Sequence, residues 1–72
     1  MEVFVKEMAD VLDIDAALLT PEFNLRDGAW DSLAIVSSIA LIDEHFGVIA
    51  DARALNNCVT FGDILALAKK AG

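Results

Sequence analysis

Residues 31–47, DSLAIVSSIALIDEHFG, decide the fold of this chain. Asp31 and Ser32 are residue types that favour the start of a helix, and Gly47 is the type that most often ends one. Between them, apolar residues recur at the spacing of one helical face. These are Ile35, Ile39, Ile42 and Phe46. The stretch therefore predicts an amphipathic α-helix from Asp31 to Gly47 whose apolar stripe faces a core.

The same predicted helix carries a second apolar row beside the first. This row consists of Leu33, Val36 and Ala40. The rest of the helix surface is predicted to be covered mainly by Ser37, Ser38, Leu41, Glu44 and His45. The helix is thus apolar over more of its circumference than a single core contact requires. Either the second row is also buried, or it is a docking surface for a partner.

Further helices are predicted on both sides of this one. Residues 2–13 carry one apolar stripe, made of Phe4, Met8, Val11 and Leu12. Residues 51–57 predict a short helical turn with Ala52 and Leu55 facing inward. The last helix begins at Thr60, where Thr60 and Asp63 resemble a capping box. Its apolar residues and C-terminal cations are Ile64, Leu65, Leu67, Ala68, Lys69 and Lys70.

The segment 14–30 has a weaker pattern and is predicted to be a long loop with local turns. Asp15 is a candidate cap for a turn at 16–18, and 20–22 (Thr-Pro-Glu) is typical of an N-cap followed by proline in the first helical turn. Asn24, Asp27 and Gly28 are predicted to lie in loop. The expected fold is therefore all-α: a small four-helix bundle with three main helices, one short helix and a long first loop.

Length and charge narrow the classes of function. We expect 72 residues to form a single domain, 1–72. Twelve acidic residues against five basic ones give a net charge of −7, which disfavours nucleic acid and anionic membranes and favours basic protein partners. One cysteine, no N-terminal leader and no apolar run long enough to span a bilayer favour a soluble, cytoplasmic protein with a reduced cysteine. We expect it to be a monomer. Self-repulsion predicts that added salt or divalent cations raise the melting temperature.

Ser32 has two interpretations, as part of the helix cap or as a residue that carries something. If Asp31 alone caps the helix, the Ser32 hydroxyl is free, and a phosphate ester there would lie at the positive end of the helix dipole. A catalytic role would need a nearby base, but His45, the only histidine, lies about 20 Å along the same helix. We therefore expect no enzymatic activity.

No metal site is expected either, because neither candidate donor set is complete. Asp13 and Asp15 lack the remaining ligands of a calcium loop, and Cys58 with His45 is too small a set for zinc. Cys58 is expected to be buried or half-buried, and His45 to lie on the polar face. Trp30 is either a hydrophobic staple against the core or an exposed docking residue.

Several motifs together resemble the acyl carrier proteins, and the resemblance covers essentially the whole chain. Asp31-Ser32-Leu33 heads the second helix of a short acidic chain, as the family's attachment motif does. Thr20-Pro21-Glu22 resembles the family's first-loop turn, and Phe46-Gly47 its second-helix ending. Asp51 matches an acidic position before the third helix. Thr60-Phe61-Gly62-Asp63 resembles the Thr-x-Gly-Asp opening of the last helix.

The resemblance implies a non-catalytic carrier. Ser32 would accept 4′-phosphopantetheine from coenzyme A through a magnesium-dependent phosphopantetheinyl transferase, and the arm's thiol would carry acyl groups as thioesters. The partners would be that transferase and the acyl-loading enzymes, synthases and acyltransferases of lipid or polyketide biosynthesis. The residues that the resemblance assigns to partner binding are Asp31, Leu33, Val36, Ala40, Asp43 and Glu44.

The chain departs from the pattern of fatty-acid-synthesis carriers at several positions. Ala34, Ser37 and His45 stand where acidic residues are common, Trp30 is bulkier than usual, and Gly28 lies one residue farther from the serine. These departures favour a specialised, free-standing carrier whose partners recognise apolar contacts more than charge. The alternatives are an aminoacyl or peptidyl carrier, and a helical adaptor that is never modified.

Overall fold

The computed structural model describes residues 1–69 and has the predicted all-α architecture. Lys70, predicted at the end of the last helix, lies outside this range. Within the described range, no helix combines the length and apolar character needed to cross a membrane. The four helices are α1 (Glu2–Leu12), α2 (Ser32–Phe46), α3 (Ala52–Asn56) and α4 (Phe61–Lys69). Two 3-10 turns, Ala16–Leu18 and Leu25–Asp27, lie in the connection between α1 and α2.

One apolar core joins the four helices. The ring of Phe4 meets the ring of Phe46 edge-on, with centroids 5.0 Å apart, and it stacks on Phe61 at 6.2 Å. Each helix therefore contributes its apolar stripe to a shared interior, as the spacing predicted. The fully buried large residues are Phe4, Met8, Leu12, Leu25, Ile42, Leu55, Phe61 and Ile64.

Ser38 is fully buried, so its predicted place on the outer face of α2 is wrong. Its side chain is 0% exposed, and its hydroxyl donates to the carbonyl of Ala34 at 2.8 Å. The same oxygen lies 3.6 Å from the sulfur of Met8 on α1. A small hydroxyl that is satisfied by its own helix backbone can occupy the contact between α1 and α2 without leaving an unpaired donor.

The first loop is more ordered than its sequence pattern indicated. Asp15 caps the first 3-10 turn as predicted, by accepting from the N–H of Ala17 at 3.0 Å. The helix start predicted at Thr20 is wrong, because the N–H of Phe23 closes a β-turn onto the Thr20 carbonyl at 2.9 Å. Proline suits the second position of such a turn as well as the first turn of a helix. Asn24 caps the second 3-10 turn, which the sequence pattern did not predict.

Backbone hydrogen bonds attach this loop to both ends of the molecule. The N–H of Ala29 donates to the carbonyl of Leu12 at 2.9 Å, at the end of α1. The N–H of Gly62 donates to the carbonyl of Pro21 at 2.8 Å, at the start of α4. A Cβ at position 62 would lie only 3.0 Å from that carbonyl oxygen, which explains the glycine. The loop therefore fixes the point at which the chain enters α2.

The remaining helix ends follow local capping chemistry, with two corrections. Thr60 and Asp63 form the predicted capping box: the hydroxyl accepts from the Asp63 N–H at 3.3 Å, and the carboxylate accepts from the Thr60 N–H at 3.1 Å. Helix α1 ends one residue early, because Asp13 adopts a left-handed conformation at φ 58°. Ala52 is exposed rather than inward, since it is the first residue of α3 and only Leu55 reaches the core.

Candidate functional site

Asp31 caps the start of α2, and Ser32 follows it as the first residue of the helix. Asp31 has an extended backbone, and its carboxylate accepts from the N–H of Ala34 at 2.9 Å. Its carbonyl accepts from the N–H of Ile35 at 2.9 Å. Asp31 is therefore the cap, and Ser32 is the first helical residue with an exposed side chain. The Ser32 hydroxyl is not needed to start the helix.

The first turn of α2 fits a phosphate attached to Ser32. The opening N–H groups of an α-helix have no acceptor within the helix, and the Asp31 carboxylate takes only that of Ala34. The N–H groups of Ser32 and Leu33 thus have no acceptor within the helix and lie at the positive end of the helix dipole, where an anion is stabilised.

The residues before the cap hold this turn against the core. The ring of Trp30 is half-buried and packs against the core cluster, which favours the staple interpretation over an exposed docking role. Its indole Nε1 is buried and has no acceptor among residues 1–69. A Cβ on Gly28 would lie 3.2 Å from the Cβ of Leu12, so the loop passes close to the end of α1 there. This close contact favours a glycine at position 28.

The second apolar row of α2 is exposed, which excludes the interpretation that this row is buried. Leu33 is 75% exposed and Val36 63%, and Ala40 is exposed as well. Asp43 and Glu44 are also exposed. At about 100° per residue, these five positions fall within an arc of about 100°. They form one outer face with apolar residues near Ser32 and acidic residues toward the C-terminal end.

One further large apolar side chain is exposed just after α2. Ile49, just after α2, is 78% exposed and was not singled out. The available signal was a large aliphatic residue in a short non-helical segment after Gly47. In sequence, Ala34 is one of the positions that make α2 less acidic than in the fatty-acid-synthesis carriers. Ala34 is buried, however, so the lack of a charge at this position does not change the acidity of the outer face.

His45 does not act on Ser32. Helix α2 is unbroken from Ser32 to Phe46, which places the imidazole about 20 Å from the hydroxyl. Its Nε2 instead lies 2.8 Å from the Oε1 of Glu7 on α1. His45 therefore cannot serve as the base for a reaction at Ser32.

Cys58 lies away from this face, between α3 and α4. It is half-buried as expected, and its thiol donates to the carbonyl of Ala54 at 3.4 Å. Burial, and then the negative charge of Asp63, raise the pKa of the Cys58 thiol. Because the thiolate is the reactive form, this side chain is a weak nucleophile at neutral pH.

Comparison with known proteins identifies the family. Residues 2–68 match the family model described as the phosphopantetheine attachment site. The acyl carrier proteins of Helicobacter pylori strains G27 and HPAG1 are each 36% identical over 59 residues, which cover 81% of this chain and 76% of theirs. No solved structure gives a significant match. The chain therefore belongs to the acyl carrier protein family, whose members are non-catalytic carriers with a covalently attached 4′-phosphopantetheine.

Proposed function

We propose that Ser32 is the attachment residue for 4′-phosphopantetheine and that the chain is a substrate of a phosphopantetheinyl transferase. The observation that carries this proposal is that Asp31 caps α2 and leaves the hydroxyl of Ser32 free. Asp31 satisfies the helix end, while Ser32 presents a hydroxyl to solvent on the first turn. The unpaired N–H groups of that turn would stabilise the phosphate.

The attached arm supplies a thiol that carries acyl groups as thioesters. The chain itself holds the arm on a rigid helix, which the loop bonds to Leu12 and Pro21 keep in place. No base within reach of Ser32 is needed for this role, since the transferase would supply both the base and the magnesium ion. Tethering raises the concentration of the cargo at each partner's active site.

Intact mass measures the modification directly. The unmodified protein is incubated with coenzyme A, magnesium and a broad-specificity transferase, alongside Ser32→Ala and the control Ser37→Ala. Ser37 is a half-buried serine of the same helix, one and a half turns away. We expect one phosphopantetheine on wild type and on Ser37→Ala, and none on Ser32→Ala.

Two outcomes of that assay would contradict the proposal. Addition to Ser32→Ala would place the modification elsewhere. No addition to folded wild type with two different transferases would leave the unmodified adaptor as the better interpretation. Supplying modified protein with acyl and aminoacyl donors would then separate an acyl carrier from an aminoacyl or peptidyl carrier.

We further propose that Asp31, Leu33, Val36, Ala40, Asp43 and Glu44 bind the partner enzymes. The exposed apolar row beside Ser32 and the two acidic residues beyond it support this assignment. The partners are acyl-loading enzymes, synthases and acyltransferases of a specialised pathway, and they recognise the apolar row more than the charges. Such docking is weak and brief, which suits a shuttle that must also leave.

Variants of the outer face test how partners recognise it. We expect Val36→Ala to slow acyl loading more than charge reversal of Asp43 and Glu44 does. Normal circular dichroism spectra would exclude a folding defect. If charge reversal abolishes loading while Val36→Ala has no effect, recognition by apolar contact is wrong.

We also propose that residues 1–72 form one carrier domain that works as a monomer in the cytoplasm. The single core shared by all four helices supports one domain. The negative charge of −7 opposes self-association. Light scattering after size exclusion should give a mass near 7.7 kDa, and a dimer mass would contradict the monomer.

A further inference from the structure

Three potential metal ligands from two helices meet at the end of the bundle that lies away from Ser32. Glu7 comes from α1, and Glu44 and His45 come from α2. One donor atom from each residue lies within 4.8 Å of the other two. We propose that Glu7, Glu44 and His45 form a Zn²⁺ site that ties α1 to α2.

The donor set favours zinc over magnesium and calcium. One imidazole nitrogen and two carboxylate oxygens are zinc ligands, and three protein ligands with one water complete its tetrahedral shell. Magnesium and calcium prefer oxygen donors alone, so the histidine disfavours both. The two carboxylates alone would not favour zinc over magnesium or calcium, so the preference for zinc comes from the imidazole.

The distance between His45 and Glu7 is close to the one that zinc requires, and the Glu44 donor atom lies within 4.8 Å of both. Ligand bonds of about 2.0–2.1 Å at a tetrahedral angle place two donor atoms about 3.3 Å apart. His45 Nε2 and Glu7 Oε1 are 2.8 Å apart, so this pair needs to open by only about half an ångström. The Glu44 carboxylate approaches from the position next to His45 on the same helix.

The surroundings hold the imidazole in place and leave the carboxylates available. The His45 ring meets the ring of buried Phe4 edge-on, with centroids 5.5 Å apart and planes at 68°, which restricts its orientation. Among the described residues, no lysine or arginine nitrogen lies within 4.0 Å of either carboxylate. In place of the single contact between His45 and Glu7, a bound dication would interact with the carboxylates of both Glu7 and Glu44. The net charge of −7 also favours binding of a cation.

Bound zinc would have two consequences. It would bridge α1 and α2 and stabilise the folded chain by mass action, because the unfolded chain does not hold the three ligands together. It would also neutralise Glu44, which lies on the outer face of α2. Zinc would therefore reduce the acidity of that face without contacting Ser32, about 20 Å away.

The test uses the full chain without an affinity tag and follows the ring of its only histidine by NMR. Zinc chloride should shift the His45 ring signals until one equivalent is bound, and it should raise the melting temperature. Magnesium chloride at the same concentration should leave the ring signals unchanged. Ring signals that do not move with zinc would overturn the proposal, even if zinc binds elsewhere, for example at Cys58.

Single substitutions locate the site in the same assay. His45→Gln, Glu7→Gln and Glu44→Gln should each weaken zinc binding about tenfold or more, by calorimetry. Asp43→Asn is the matched control, since it removes one charge from the neighbouring position of α2 and should change affinity by less than about threefold. Equal losses in Asp43→Asn and the ligand variants would show diffuse charge attraction and overturn the site. A thermal melt without zinc shows whether each variant folds. If a variant does not fold, the zinc titration of the His45 ring signals in wild type still tests the site.

Discussion

At the scale of single residues, position within a helix end decides what a polar side chain does. Asp31 and Ser32 are adjacent and both suit a helix start, yet only Asp31 bonds the helix backbone. One residue farther along, Ser32 is the first helical residue, and its side chain is exposed. Asp63 shows the complementary case, in which a carboxylate in the first turn reaches back to the backbone of Val59 and Thr60.

Asp63→Asn should lower the melting temperature at neutral pH. The N–H groups of Val59 and Thr60 donate to its carboxylate and hold the pKa of Asp63 below its ordinary value of 3.8. A carboxyl whose pKa is lowered by folding adds stability above its unfolded pKa, and this contribution is lost as pH falls through its folded pKa. The difference in melting temperature between wild type and variant should therefore shrink below pH 3.8.

Thermal melts across that pH range give the measurement, and Glu22→Gln is its control. Glu22 is an exposed loop acid, so this substitution should change little at any pH. A wild-type advantage over Asp63→Asn that stays constant with pH would mean that the charge of Asp63 contributes nothing to the cap.

At the scale of elements, α2 has two apolar faces with different energetic roles. Ile42 is 0% exposed in the core, whereas Val36 is 63% exposed on the outer face. Ile42→Ala should cost about 2–5 kcal/mol, since it removes buried methyl groups and leaves a cavity. Val36→Ala should cost less than about 0.5 kcal/mol, since it loses little buried area.

Urea denaturation of the two variants compares these faces. A cost for Val36→Ala as large as that for Ile42→Ala would mean that the second row also supports the fold. Docking to partner enzymes would then not be the reason for the apolar residues of that row.

The C-terminal end of α2 depends on a backbone conformation rather than on a contact. Gly47 has φ 67°, and a Cβ there would meet no atom within 4 Å. Gly47→Ala should therefore destabilise the fold by about 1 kcal/mol through backbone strain alone. Gly47→Asn should cost less, because asparagine adopts the left-handed region more readily. Chemical denaturation of both variants measures this order, and an equal cost for the two would contradict strain as the cause.

At the scale of the whole molecule, one charge sign dominates a small bundle. The net charge is −7 over 72 residues, and within residues 1–69 no lysine or arginine nitrogen lies within 4.0 Å of a carboxylate oxygen. Repulsion among the unpaired acids opposes the compact state, and salt screens it.

Sodium chloride should therefore raise the melting temperature, most steeply at low ionic strength. Differential scanning calorimetry in the presence of a chelator measures this effect without a contribution from zinc. Charge reversal of the exposed Asp43 to lysine should reduce the salt dependence, because it lowers the net negative charge. A melting temperature that does not change with salt would mean that self-repulsion is negligible.

Local chemistry made much of this molecule predictable from its sequence. The bounds of α2, the capping box at Thr60 and the exposed serine after Asp31 follow from side chains that act on backbone a few residues away. The apolar spacing gave the core stripes for the same reason, since helical geometry fixes which residues share a face.

Other features were decided only where separate parts of the chain meet. The sequence determined a four-helix carrier with a serine at the head of α2, but not that Ser38 is buried beneath Met8 or that the second row is exposed. Nor did it place Glu7 beside His45, 38 residues away. Burial and long-range pairing depend on how whole helices pack, and a local pattern does not contain the position of the neighbouring helix.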